Sequence, residues 1–116
     1  MKLFGRKDRR ERRWRQERID HGISESDAWG LCAHLDQVIA RGVRQLADEL
    51  HGCPSEMSDQ FGGDVTKACE HWRKILEDIA EGFEKDYEAQ ANVEPSPPEF
   101  ERSLRLLSEH WRDLWD

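Results

Sequence analysis

The stretch VTKACEHWRKILEDIAEGFEKDY, residues 65–87, decides the fold. Its apolar side chains fall at Val65, Ala68, Trp72, Ile75, Leu76, Ile79, Phe83 and Tyr87. Steps of three and four place them on one side of an α-helix, whereas a strand would need alternation. Asp64 or Thr66 supplies the cap, and the spacing predicts a helix over about 65–90. The remaining faces carry Glu70, Glu77, Asp78, Glu81, Glu84, Asp86 and Glu88, and this reads as a surface turned to solvent or to a basic partner.

Upstream, Ser24 and Asp27 stand at capping-box spacing. Ala28, Leu31, Leu35, Val38, Ile39, Val43, Leu46 and Leu50 then continue the helical period, so a helix is expected over about 25–50, stopped by Gly52 and Pro54. Gly42 interrupts it at a cost of about 1 kcal/mol relative to Ala, which points to close packing by a neighbouring helix. Residues 53–63 hold Pro, Ser, Asp and a Gly-Gly pair and read as a loop. Downstream, Ser96-Pro97-Pro98-Glu99 places Ser at a cap, Pro at the first helical position and Glu at the third. A third helix is expected over about 97–115, its stripe of Phe100, Leu104, Leu107, Trp111 and Leu114 closing the protein's own core. No segment alternates as a strand would. The expected fold is therefore an all-α three-helix domain with a basic N-terminal helical arm; helices one and two are antiparallel and helix three lies across them.

The 116-residue length suits one domain, and with 37% charged residues much of every helix must face water. A net charge of -7 labels the chain acidic. That sum conceals a division between residues 1–20, an Arg-rich arm, and residues 21–116, an acidic helical domain. No apolar run nears the roughly 20 residues that cross a bilayer, and the start of the chain lacks the apolar stretch of a signal peptide. Three cysteines without framework spacing, Cys32, Cys53 and Cys69, suit a reducing compartment, with Cys32 and Cys69 read as small core residues. The expected location is cytoplasmic.

Catalytic signatures are absent from the sequence: no Gly-x-Ser-x-Gly, no Walker A and no His-Glu-x-x-His. The expectation is a non-enzymatic protein without cofactor. Cys and His recur two apart at Cys32/His34, His51/Cys53 and Cys69/His71. On a helix such pairs point about 200° apart, so the first and third cannot both chelate; only His51-Gly52-Cys53 sits on a turn that could wrap an ion, and the expectation is no metal site. The arm offers charge: Arg9, Arg10, Arg12, Arg13, Arg15 and Arg18 around Trp14 suit phosphate contact, with a membrane surface or the protein's own acidic helices as competing partners. Of the five tryptophans, Trp72 and Trp111 fit core stripes, whereas Trp14, Trp29 and Trp115 are candidate anchors for a protein partner.

Ser26-Asp27-Ala28-Trp29-Gly30-Leu31, the turn His51-Gly52-Cys53-Pro54, Trp72-Arg73-Lys74-Ile75-Leu76 and Gly82-Phe83-Glu84 together resemble a group of small helical proteins encoded by tailed bacteriophages and prophages. The likeness spans about residues 23–84. Cys32, Cys53 and His71 depart from that group's pattern, which favours Asp, an aromatic and Glu at those places. The resemblance implies a phage origin in the cytoplasm of a bacterial host and brings no activity with it. The expected function is that of a phage or prophage accessory protein binding a host or phage protein. A nucleic-acid-associated protein acting through the arm is one alternative. A virion or assembly component working through homo-oligomer contacts is another.

Overall fold

A computed structural model describes residues 5–115. Among these the chain is all-α, with six α-helices and a closing 3-10 turn in place of the three long helices expected from the sequence. They are α1 (Arg6–His21), α2 (Glu25–Trp29), α3 (Leu31–Asp48), α4 (Ser55–Gln60), α5 (Val65–Ala91) and α6 (Pro98–Glu109), followed by the 3-10 turn Trp111–Asp113. The chain forms two compact units, Met1–His34 and Leu35–Asp116.

Three local causes separate this architecture from the three-helix expectation. Gly30, at φ -118° and ψ 52°, leaves the helical region and divides the expected first helix into α2 and α3. Pro54 precedes α4 in an extended conformation, and its carbonyl accepts from Met57 and Ser58, so part of the expected loop winds into a helix that buries Met57. At the far end α6 stops at Glu109, and the amide of Asp113 bonds the carbonyl of His110 at 2.9 Å, the tighter 3-10 pattern. The middle helix was legible to within one residue: α5 runs Val65–Ala91, with the Asp64 carboxylate accepting from the amide of Lys67 at 3.1 Å.

In the first unit, α1 opens with the amide of Gly5 donating to Asp8 and closes on Gly22, which takes a left-handed φ of 79° that a side chain would resist. The label acidic, which the net charge gives the whole chain, fails for this helix, seven of whose 16 residues are arginine. Ser24 caps α2 in a reciprocal box: its hydroxyl accepts from the Asp27 amide at 3.1 Å, and the Asp27 carboxylate accepts from the Ser24 amide at 3.0 Å.

The second unit is organised around α5. Ala68, Trp72, Leu76, Ile79, Ala80 and Phe83 on this helix are buried together with Ala40, Val43 and Ala47 of α3, Met57 of α4 and Leu107 of α6. α3 runs antiparallel to α5: Asp36 meets Gln90, Arg44 grips Glu84 with two bonds of 2.7 and 3.2 Å, and the Ala47 carbonyl accepts from Arg73. α6 also runs antiparallel to α5, and the closest approach is at Gly82. A Cβ there would overlap the Ser103 side chain and lie 2.7 Å from the Glu99 carbonyl oxygen. Ser103 is buried and donates to the Asp78 carbonyl at 2.8 Å. The small-residue contact is therefore at Gly82, and the one expected at Gly42 is absent, since nothing lies within 4 Å of a Cβ built on Gly42.

The stripe assigned to the third helix is corrected in its detail. Leu107 is buried and Phe100 is half-buried, its ring meeting Phe83 edge-on at 5.2 Å. Leu104 is 44% exposed and Trp111 is 63% exposed, so neither closes the core. Ser103 occupies the buried line that the heptad reading gave to Leu104, because α6 turns the side facing Gly82 inward. Ser96 does not cap α6 either: Pro97 holds the capping position, and Ser96 hydrogen-bonds the Asp86 carboxylate.

Candidate functional site

Two of the three candidate anchors, Trp14 and Trp29, meet each other and arginines of the arm in the first unit. The Trp14 ring is half-buried and meets Trp29 edge-on, with centroids 5.5 Å apart, while the Arg10 guanidinium lies 5.1 Å above it. Both are favourable contacts of an aromatic face or edge. Trp29 is 64% exposed, and the Trp14 indole N–H is buried with no acceptor among the described residues. Arg13 pairs with Glu25 at 2.9 Å, and Arg18 holds both oxygens of Asp27 at 2.9 and 2.8 Å. That bidentate pair, together with the Ser24 amide, holds the Asp27 carboxyl far below the ordinary carboxylate range. The arm thus spends Arg10, Arg13 and Arg18 on its own α1–α2 hairpin, and Arg12 is also engaged. Arg9 and Arg15 are exposed and carry no partner among the described residues.

In the second unit, α3 and α6 lean on α5 and leave an open groove of about 340 Å³ between them. Val38, Ile39, Gly42, Val43 and Leu46 line one wall, and Leu107, Trp111 and Leu114 the other. Of these, Val38 is 53% exposed, and Leu35 and Leu104, one helical turn along from Val38 and Leu107, continue the apolar rows on the surface. Together they form an exposed apolar row on a polar chain, not an isolated surface leucine. Sequence reasoning missed this surface because it assigned Leu104 and Trp111 to the core by period alone. Trp115, 75% exposed, stands apart from the groove beside a second hollow shared with Cys53, Glu56 and Asp113.

Burial and a hydrogen bond to Cys69 push the Cys53 thiol up, away from the reactive thiolate. Cys32 is exposed and Cys69 half-buried, so the core role expected for Cys32 is not the one it has. Among the described residues no three His, Cys, Asp or Glu side chains converge as metal ligands. Asp86 was read as part of a solvated face, yet it is 3% exposed and faces Asp36, also 3% exposed. No described helix is long and apolar enough to cross a membrane.

Comparison with protein families, with characterised proteins and with solved structures finds no match. The likeness to phage proteins therefore stands on the residues quoted for it.

Proposed function

We propose that this chain is a non-catalytic binding protein that holds an amphipathic helix of another protein in the groove between α3 and α6, in the phage accessory role that the sequence resemblance implies. The observation that carries the reading is the exposed apolar lining, with Val38 on one wall and Trp111 on the other. A helix suits it because the α3 wall presents lining residues that recur at three and four, so the ridges of an incoming helix can lie along it, with Leu107 of α6 and Trp111 and Leu114 of the segment after it facing the other side. Gly42 lies in the lining with no neighbour at its Cβ position, which lets an incoming backbone approach closely. Trp111 is the anchor expected of such a surface. Arg41 and Arg112, next in sequence to Gly42 and Trp111, are exposed and form no ion pair among the described residues. They favour an occupant with acidic side chains beside its apolar stripe.

The test is quantitative co-purification from a bacterial host with wild-type protein, a Val38→Asp/Leu104→Asp variant and an Arg9→Ala/Arg15→Ala variant as baits. A discrete protein retained by wild type and the arginine variant but lost with the groove variant is the expected outcome. Loss with the arginine variant instead would transfer the function to the arm.

A further inference from the structure

Asp36 on α3 and Asp86 on α5 are each 3% exposed and come together where the two helices meet. One side-chain amide bridges them: Gln90 Nε2 donates to Asp36 Oδ2 at 2.7 Å and to Asp86 Oδ2 at 3.0 Å. Ser96, from the segment joining α5 to α6, also bonds Asp86. No lysine, arginine or histidine is among the groups that act on either carboxyl; those groups are Asp36, Asp86, Gln90 and Ser96. Asp86 Oδ1 is buried with no donor assigned to it. Two buried carboxylates without a cation repel each other and lose hydration, so both cannot be ionised at little cost. A single proton resolves this: as a neutral acid Asp36 can donate to the Asp86 carboxylate it faces, while Gln90 donates to both.

We propose that Asp36 and Asp86 share one proton and form a pH-sensitive latch between α3 and α5, closed while Asp36 is protonated and strained open when that proton leaves to water. The electrostatics agree: desolvation first, and then Asp86, push Asp36 up to about 7, whereas Asp86 is lowered by the bond it accepts from Asp36. As the two are coupled, the near-neutral proton belongs to the pair. The sign follows from linkage. Asp36 is raised in the folded state, so its stabilisation is fully present below the ordinary carboxylate value near 4. It is lost as pH rises from there to about 7, and is gone above.

Two measurements on the full chain test the latch. Carboxyl-carbon NMR should show one aspartate titrating near neutrality and its partner remaining ionised into the acid range; two carboxyls titrating below pH 5 would overturn the proposal. Urea unfolding of wild type and Asp36→Asn, whose amide can donate to Asp86 at every pH, gives the second readout. The folding constant of wild type relative to the variant should fall by up to about tenfold per pH unit between pH 4 and 7 and then level. A ratio that does not change with pH would overturn it equally. Because the NMR titration is made on wild-type protein, a variant that fails to fold leaves the proposal testable.

Discussion

Two glycines sit inside long helices of this protein, and the structure assigns them opposite signs on replacement by alanine. In a helix interior the exchange is worth up to about 1 kcal/mol in favour of Ala, from lower backbone entropy in the unfolded chain and better helix propensity. At Gly42 nothing lies within 4 Å of the new Cβ, so the whole gain should appear, and Gly42→Ala is expected to stabilise by about 0.5–1 kcal/mol. At Gly82 the new Cβ overlaps the Ser103 side chain and stands 2.7 Å from the Glu99 carbonyl oxygen. Ser103 can rotate only by abandoning its 2.8 Å bond to the Asp78 carbonyl, and a backbone oxygen cannot move without α6. Overpacking of this kind costs about 1–3 kcal/mol, and a lost buried hydrogen bond about 1 more, so Gly82→Ala should be net destabilising by about 1–3 kcal/mol. Urea unfolding followed by far-ultraviolet circular dichroism measures both variants. If Gly82→Ala is as stable as wild type, the close α5–α6 contact is refuted. Adding Ser103→Gly should relieve only the side-chain part of the clash, and the carbonyl part should remain.

Trp72, 1% exposed, should cost about 3–5 kcal/mol when changed to Ala, whereas Trp111, 63% exposed, should cost under about 1 kcal/mol, both read from the midpoint of chemical unfolding. Val93 holds a left-handed φ of 55° just past the end of α5 and is 93% exposed, so Val93→Gly should stabilise by about 1 kcal/mol with no packing lost; an unchanged unfolding midpoint would count against strain there. With Arg13 and Arg18 committed to Glu25 and Asp27, any DNA affinity of the arm should rest on Arg9 and Arg15. Changing either to Ala should flatten the salt dependence by about one unit of log slope, whereas Arg13→Ala should not.

The sequence was most legible where one local rule acted alone. The α5 stripe from Ala68 to Phe83 gave a helix of nearly the observed length because its period, the Asp64 cap and its burial all agree, although Val65 at its start is exposed. The Ser24/Asp27 box was likewise readable from four residues. Period failed where a neighbour decides which side turns inward: Leu104 and Ser103 differ by one position, and only the hollow at Gly82 makes Ser103 the buried one. Trp111 looked like core because the heptad reading assumed a helix to the end of the chain, whereas the 3-10 turn rotates it out. Of the candidate site, the arm was visible as charge, but its pairing to Glu25 and Asp27 depends on Gly22 folding α1 back toward α2. The Asp36–Asp86 pair was hidden, since two acids 50 positions apart signal nothing until α3 and α5 run antiparallel.

The groove is tested most directly by site-specific photo-crosslinking in a bacterial host, with a photoreactive phenylalanine analogue placed in turn at Val38, Leu104 and Lys74. Val38 and Leu104 flank the groove, and the Lys74 side chain is 69% exposed on α5, outside the lining. The predicted result is one discrete adduct shared by positions 38 and 104, absent at 74, whose mapped peptide is an amphipathic helix with acidic residues beside its apolar stripe. Equal labelling at all three positions, or an adduct that survives Trp111→Ala with Gly42→Leu, would contradict it.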